Sequence, residues 1–349
     1  MALRSDSQQI LRDAGIANPM RLVRLLEEAV QWFDLDLTGL TVLTEAASGA
    51  YVVTPILAAM AGACSVISLT RDSQYGTTEQ VIAQTRALQA LCSIDDKIEI
   101  HTARTAALFA RADLITNLGF VRPLDAATVQ LLRPNTVISL MCEAWEFRPG
   151  DVALDACRCR GIAVIGTNED FLGMEVFVYS GWLCMKLLLE AQIELHKCKI
   201  CIVSGDKFGS VIQRCLDRSG VQTYLAPSLS EVSATDLATS DALIVADYTR
   251  NDVIVGEGGD LSAAALASLA PQLTVIPFAG AVDSAALAHA GLSVYPPQNG
   301  LAHRMTVTLA GLGARPVVEL HAAGLKVGEV VLRGADATQT RWTGLMQPL

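Results

Sequence analysis

The chain has 349 residues, of which 51% are hydrophobic and 18% charged, and its net charge is −10 at pH 7. This composition excludes a disordered chain and indicates a well-packed α/β protein of about two domains. The negative charge argues against nucleic acid or an anionic membrane as a partner, because both are bound through clustered Lys and Arg. The longest apolar stretch, 176–189, contains Lys186 and is too short to span a bilayer. Since the N-terminus lacks a signal peptide, we expect a cytoplasmic protein whose partner is a small molecule.

The nine cysteines are predicted to be reduced thiols, most of them inside apolar strands or helices. Two close pairs, Cys157/Cys159 and Cys198/Cys201, could also indicate redox chemistry or half of a zinc site. Cys201 falls inside an apolar strand, and no second Cys or His pair completes a tetrahedral ligand set. We therefore expect no bound metal.

The first half of the chain is predicted to be helical and then to alternate between strands and helices. Residues 1–36 are predicted to form a helical extension of two short helices, the second of which packs on the core or makes a dimer contact, and we expect a homodimer. Strands are predicted at 41–44, 65–69, 98–101, 114–116, 136–141 and 162–165, with helices between most of them. Residues 37–175 are therefore predicted to be a doubly wound parallel α/β domain on the substrate side.

The second half repeats this pattern after a long apolar helix. That helix, 176–194, fills a predicted interdomain segment at 176–196. Residues 197–300 are predicted to be a Rossmann-like nucleotide-binding domain with strands at 199–203, 222–225, 242–245 and 274–277. Residues 301–349 are expected to pack back across the domain boundary, with a helix and a short strand between 303 and 334. The predicted fold class is α/β, with two doubly wound parallel-sheet (Rossmann-like) domains joined by a long helix and an interdomain cleft.

A polar segment, Glu143 to Asp151, follows the predicted strand 136–141, and ligands of open α/β sheets bind outside the carboxyl ends of strands. We expect Glu143, sheltered beside Trp145, to have a raised pKa and to act as an acid or base. Arg148 would hold a substrate carboxylate. The alternative is an internal salt bridge that fixes the loop. The predicted substrate-binding residues are Ser48, Tyr51, Asn117, Trp145, Glu146 and Asn168, although Asn117 is equally compatible with capping a turn.

Two turns are candidate phosphate loops. The turn from Val203 to Ser210 contains two glycines and opens a helix, whose N-terminal N–H groups suit a pyrophosphate. Its spacing is not G-x-G-x-x-G, so an ordinary βα turn is the alternative. The rival turn is 45–51, where Ser48 and Gly49 precede a helix and Arg71 follows the next strand, a position suited to the 2′-phosphate of NADP. Arg71 is equally compatible with a surface charge. The predicted cofactor-binding residues are Gly205, Asp206, Phe208, Gly209, Ser210, Asp247 and Tyr248.

A family resemblance rests on the run from Asp155 to Val164, on Thr167-Asn168 and on the helix at 176–189. Over about residues 100–300, the order of these parts resembles the D-isomer-specific 2-hydroxyacid dehydrogenases and their formate-dehydrogenase-like two-domain relatives. The resemblance implies a nicotinamide-binding second domain, an active site in the cleft, and a loop at 143–151 that binds the substrate through its backbone.

The chain departs from the family at two positions. Ala279, before Gly280, stands where the family has its substrate-binding Arg, and Pro297-Gln298 stands where the proton-transferring His is expected. His303 follows this loop and is predicted to be the proton carrier, because imidazole titrates near neutrality. A capping or surface role is the alternative for His303.

Together these features predict an oxidoreductase that uses NAD or NADP and acts on a small carboxylate-bearing metabolite. Glu143, Arg148 and His303 are its predicted catalytic residues. Since the family's Arg and His are missing, a non-redox binding or group-transfer protein, or a scaffold protein, is the alternative.

Overall fold

A computed structural model describes residues 2–94, 96–334 and 341–349. The chain divides into two compact units, of which the first comprises Met1–Val176 and Gly313–Leu349 and the second Phe177–Leu312. The second unit is therefore an insertion in the first. The predicted C-terminal segment, 301–349, is divided at residue 313, and its residues 335–340 lie outside the described residues.

Strands and helices alternate through most of the described chain. The strands are β1 (Thr41–Glu45), β2 (Ser65–Leu69), β3 (Ile98–His101), β4 (Leu114–Thr116), β5 (Val137–Ser139), β6 (Ala163–Thr167), β7 (Lys199–Val203), β8 (Gln222–Ala226), β9 (Ala242–Ala246), β10 (Thr274–Ala279), β11 (Ser293–Val294) and β12 (Met346–Pro348). The helices are α1 (Ala2–Asp13), α2 (Pro19–Trp32), α3 (Val53–Met60), α4 (Thr78–Leu91), α5 (Ala106–Phe109), α6 (Ala126–Leu131), α7 (Leu154–Cys159), α8 (Tyr179–Glu190), α9 (Lys207–Arg218), α10 (Ala234–Ala238), α11 (Ala263–Leu269), α12 (Ser284–His289) and α13 (Ala314–Leu332).

Each unit is built on one sheet. The sheet of the first unit has the order β12-β6-β5-β4-β1-β2-β3, with β12 antiparallel to β6 and the other neighbours parallel. The sheet of the second unit has the order β11-β10-β9-β7-β8 and is parallel throughout. The strand order reverses between β1 and β4 in the first sheet and between β7 and β9 in the second. The predicted pair of doubly wound sheets is confirmed.

Helix α13 packs at close range on β4, β5 and β6 of the first sheet. A Cβ added at Gly324 would lie 2.2 Å from Met141 Sδ, and one at Gly328 would lie 2.2 Å from Leu114 Cδ1. The opposite face carries an apolar cluster that includes Leu43, with residues of α6 and α7 packed on it. Glycine at these two positions allows α13 to approach the side chains of Met141 and Leu114 closely.

Two sequence predictions need correction. The predicted long helix at 176–194 is a 3-10 turn at Val176–Val178 followed by α8, which ends at Glu190 before the left-handed backbone of Gln192 at φ 65°. The short strand expected between 303 and 334 is wrong. That segment holds a 3-10 helix and α13. The short strand is β12, which lies later in the chain and pairs with β6.

The N-terminal extension packs within the first unit. Helix α2 buries Leu22, Leu25 and Leu26, and it packs against α13 and α3, whereas α1 packs against α4. The predicted homodimer stays a prediction. Within the part of the chain that the structure describes, every helix is too short or too polar to cross a membrane.

Candidate functional site

The loop after β5 brings together three predicted residues, Glu143, Trp145 and Glu146. Glu143 is 2% exposed, and its Oε1 accepts a hydrogen bond from Glu169 N at 3.1 Å while its Oε2 accepts one from Trp145 Nε1. Glu146 Oε2 accepts one from Glu143 N at 3.0 Å and so closes a short 3-10 helix at Ala144–Glu146. The Glu143 carboxylate thus joins the loops after β5 and β6.

Arg148 takes part in an internal ion pair. Its Nε and Nη2 donate to Asp151 Oδ2 at 3.0 and 2.8 Å, and Arg122 Nη1 donates to the same oxygen at 2.6 Å. The salt bridge considered from the sequence is therefore present, with Asp151 as the acceptor. A substrate carboxylate would compete with Asp151 for Arg148, and the catalytic role of Arg148 stays a prediction.

Asn117 and Asn168 follow β4 and β6 and bind backbone. Asn117 Oδ1 accepts from Met141 N at 2.8 Å, and the residue is buried. Asn168 Nδ2 donates to Gly344 O at 2.8 Å, and its Oδ1 accepts from Asp170 N at 3.1 Å. Both side chains connect loops at the carboxyl edge of the first sheet, as a capping role requires.

The turn after β1 is held by contacts with the segment after β2 and with α4. Ser48 Oγ donates to Tyr75 O at 3.0 Å, and Gly49 N donates to Gln84 Oε1 at 3.1 Å. The ring of Tyr51 lies 5.9 Å from the ring of His321 in α13. Ser48 and Tyr51 therefore occupy one turn, at the edge where the strand order reverses.

Glu45, a buried carboxylate that the sequence predictions did not name, lies at the same edge of the first sheet. It ends β1, is 6% exposed, and its Oε2 accepts from Phe120 N at 2.9 Å. Burial raises its pKa to about 7, against the lowering effect of the backbone N–H groups of Phe120 and Gly119. The available signal was a carboxylate directly after the apolar run 41–44, at a strand end where ligands bind.

The substitution Glu45→Gln is expected to abolish a pH-dependent loss of stability. The folded-state pKa is raised from 4.5 to about 7. The folded chain therefore binds the proton more tightly than the unfolded chain, and stability is lost as pH rises through this window, by about 3 kcal/mol. Gln keeps an acceptor for Phe120 N and carries no charge. Urea unfolding at about pH 5 and about pH 8 measures the difference.

A matched control is Glu99→Gln on β3. The hydrogen bond from Arg111 is the largest cause that lowers the pKa of Glu99 to about 2, so Glu99 does not titrate in that window. Glu99→Gln should show the same decrease in the free energy of unfolding between about pH 5 and about pH 8 as the wild type. If Glu45→Gln keeps it as well, Glu45 does not titrate near pH 7.

In the second unit, the turn after β7 resembles a phosphate loop in outline only. Its N–H groups already have acceptors from the chain's own side chains. Gly205 N donates to Asp247 Oδ2 at 3.1 Å, Phe208 N to Asp206 Oδ1 at 2.9 Å, and Gly209 N to Ser204 Oγ at 3.0 Å.

Asp206 ties this turn to the end of β9. Its Oδ2 accepts from Tyr248 N at 2.6 Å and from Thr249 N at 3.3 Å. Desolvation raises the pKa of Asp206, and the neighbouring charge of Asp247 raises it further. With its N–H groups engaged and two carboxylates present, this turn does not fit a pyrophosphate.

Two further predicted cofactor residues, Gly209 and Ser210, serve local structure. A Cβ at Gly209 would lie 2.5 Å from Ser204 Cβ and 2.8 Å from Leu225 Cδ1, so glycine allows α9 to pack closely on the sheet. Ser210 Oγ donates to Lys207 O at 3.1 Å. The glycine pattern here reflects helix–sheet packing.

Aromatic side chains fill the space beside this turn. Phe208 is 1% exposed, and its ring lies 4.8 Å from that of Phe177 and 5.6 Å from that of Phe278. The ring of Tyr248 lies 6.2 Å from Phe208 and 5.8 Å from His303. Phe208 is therefore a core residue, and Tyr248 connects it to the predicted proton carrier.

His303 lies in the second unit beside the end of β9. Its Nε2 lies 2.8 Å from Asn251 Oδ1, and its backbone is left-handed at φ 56°. The structure thus brings His303, Tyr248 and Asp206 together. Glu143 and Arg148 belong to the first unit, and a joint catalytic role with His303 stays a prediction.

The nine cysteines, all within the described residues, are free thiols. Desolvation raises the pKa of Cys201 to about 12 and also raises that of Cys198. A redox pair needs a stabilised thiolate, which these two residues do not provide. No group of three or more His, Cys, Asp or Glu side chains in the described parts of the chain could hold a metal ion.

Comparison with known proteins shows the fold alone. No family model and no curated protein sequence matches the chain. A solved structure of one of the subunits of dipicolinate synthase from Bacillus halodurans gives TM-score 0.50 and 11% identity, and the match covers 85% of this chain and 98% of that one. The pyruvate reductase of Chlamydomonas reinhardtii gives TM-score 0.47 and 13% identity over 86% and 98%. NAD⁺-bound 3-phosphoglycerate dehydrogenase of Entamoeba histolytica gives 0.42 and 9% over 68% and 87%.

Proposed function

We propose that the chain is an oxidoreductase that uses NAD or NADP and acts on a small carboxylate-bearing metabolite. The observation that carries the proposal is the order of the six parallel strands in the first unit, β3-β2-β1-β4-β5-β6. Folds with this order bind dinucleotides in the crevice where the order reverses. Here that reversal, between β1 and β4, is lined by polar groups that include Glu45 and Asn117.

The nicotinamide, when bound, supplies the hydride acceptor or donor. The chain's own residues would position the substrate and move the proton. We propose His303 as the proton carrier, because imidazole titrates near neutrality, with Asn251 orienting its ring through the contact at Nε2. Arg148 would donate hydrogen bonds to the substrate carboxylate in place of those it now makes to Asp151. Glu143 would hold the loop after β5 in place through its bonds to Trp145 and Glu169.

Thermal unfolding in the presence of each nucleotide tests the proposal. NAD, NADP and their reduced forms at millimolar concentration should each be compared with the free chain. A nucleotide at about 100 times its Kd stabilises the folded state by about 2.7 kcal/mol. For a chain of this size we expect the midpoint to rise by several degrees with at least one of the four. Nicotinamide absorbance with a panel of 2-keto and 2-hydroxy acids then measures turnover.

Stabilisation by none of the four nucleotides would contradict the proposal. The alternative, a non-redox binding or group-transfer protein, would then be favoured. The engaged N–H groups in the turn after β7 are the observation on its side.

A further inference from the structure

The two sheets differ in what surrounds the point where their strand order reverses. In the second unit this point lies between β7 and β9, and Asp206 and Asp247 follow these strands. Their carboxylates accept hydrogen bonds from the local N–H groups. A dinucleotide phosphate would have to displace both carboxylates.

In the first unit the corresponding region also holds an engaged N–H group, that of Gly49, and a buried carboxylate, Glu45. It differs from the second unit in the arginines that follow β2 and β3. Arg71 follows β2 and is exposed, and its guanidinium lies 5.6 Å from the ring centre of Phe120, which follows β4. Arg104 follows β3 and donates to Val121 O and Pro123 O. The side chains after β2 and β3 therefore meet the segment after β4 across the reversal.

The positive charge of Arg71 acts on Arg104. Desolvation is the largest cause that lowers the pKa of Arg104, Asp125 opposes it, and the positive charge of Arg71 lowers the pKa further. Asp72, the carboxylate next to Arg71, accepts from Thr78 N at 2.7 Å at the beginning of α4. An anion bound near Arg71 would offset this unfavourable effect of its charge on Arg104.

A polar atom without a partner lies beside these cations. Thr70 is 3% exposed and immediately precedes Arg71, and its Oγ1 is buried with no hydrogen-bond partner among the described residues. Buried hydroxyls nearly always have a partner, so an unpaired one indicates a missing ligand or water. Gly49, in the turn after β1, has φ 62° and open space where a Cβ would stand.

We propose that the first unit, rather than the second, holds the nucleotide, with the 2′-phosphate of NADP bound by Arg71. This inference rests on the proposed function and names the unit and the form of the cofactor. The phosphate would receive charge-assisted hydrogen bonds from the guanidinium. The adenosine ribose would lie over the end of β2, where dinucleotide folds recognise it.

Calorimetric binding of NADP, NAD, 2′,5′-ADP and 5′-AMP tests the assignment. For the intact chain we expect NADP and 2′,5′-ADP to bind more tightly than NAD and 5′-AMP. Arg71→Glu should weaken NADP and 2′,5′-ADP by about tenfold or more, since a hydrogen bond to a charged group is lost and a repulsion is added. NAD affinity should change by less than about threefold. Arg71→Lys should recover part of the NADP affinity.

The matched control is Lys207→Glu, the same charge reversal at the start of α9 in the second unit. It should leave NADP affinity unchanged. Weakening by Lys207→Glu but not by Arg71→Glu would overturn the inference and leave the proposed function standing. So would equal weakening of NAD and NADP by Arg71→Glu. Binding of neither dinucleotide to the intact chain would overturn the proposed function itself. Thermal unfolding of each free variant verifies that it is folded.

Discussion

Lys326→Met is expected to lower the free energy of unfolding by about 3 kcal/mol, since it removes the buried cation of Glu329 and leaves this carboxylate with only the partly exposed Arg333 at 3.8 Å. Lys326 and Glu329 face each other on α13 with side chains 5% and 7% exposed, and Lys326 Nζ lies 2.7 Å from Glu329 Oε1. Lys326 Nζ also donates to Asp34 O at 2.8 Å, and Glu329 Oε2 accepts from Asp36 N at 2.9 Å. The pair thus fixes the chain between α2 and β1. Urea unfolding measures the loss.

The control for this prediction is Lys186→Met on α8. Lys186 and Glu190 form a pair of the same chemistry at 2.6 Å, but their side chains are 40% and 38% exposed. An exposed pair contributes at most about 1 kcal/mol. The double variant Lys326→Met/Glu329→Met should be less unstable than Lys326→Met, because no charge stays buried. Equal losses in Lys326→Met and Lys186→Met would show that burial of the pair has no energetic consequence.

His321→Gln is expected to remove a large acid sensitivity. His321 is 2% exposed, its Nδ1 lies 2.6 Å from Thr54 Oγ1, and desolvation lowers its pKa from 6.5 to about 3. Between pH 6.5 and pH 3, His321 is therefore protonated in the unfolded chain and neutral in the folded chain. The free energy of unfolding falls by about 5 kcal/mol as pH decreases through this window. About 3 kcal/mol of this falls between pH 7 and pH 4, which urea unfolding at the two pH values measures.

The substitution His196→Gln serves as the control, because His196 is exposed. It should keep the wild-type difference between the two pH values. Gln at 321 retains a group that can bond Thr54. A wild-type difference in His321→Gln would mean that His321 is protonated in the folded chain.

The sequence was sufficient for the fold class because β1, β2 and β7 are apolar runs that alternate with amphipathic helices. It was not sufficient for the strand order. Whether β4 lies beside β1 or beside β3 depends on which helices cover which face, and each strand alone is compatible with either position. Strand β12 has three residues and an antiparallel partner far away in the chain, so no local pattern marks it.

The candidate site shows the same limit. A polar cluster after β5 was predictable, and the residues of 143–148 do lie together. The ion-pair partners of its charged groups were not predictable from the sequence. Arg122 is far from Asp151 in the sequence, and the fold brings it to the carboxylate that Arg148 also binds. The turn after β7 is the clearest case. Its glycines suggested a phosphate loop, but the acceptor for Gly205 N is Asp247, which belongs to another strand end.

The insertion of residues 177–312 within the first unit sets an order of events during synthesis on the ribosome. Helix α13 packs against β4, β5, β6, α2 and α3, yet it is translated only after the entire second unit. Domains generally fold as units while the chain is being made. The second unit can therefore fold early, whereas β4, β5 and β6 of the first sheet stay uncovered on the face that α13 will occupy. For this chain, the nascent first unit is the part that most needs protection from aggregation by chaperones.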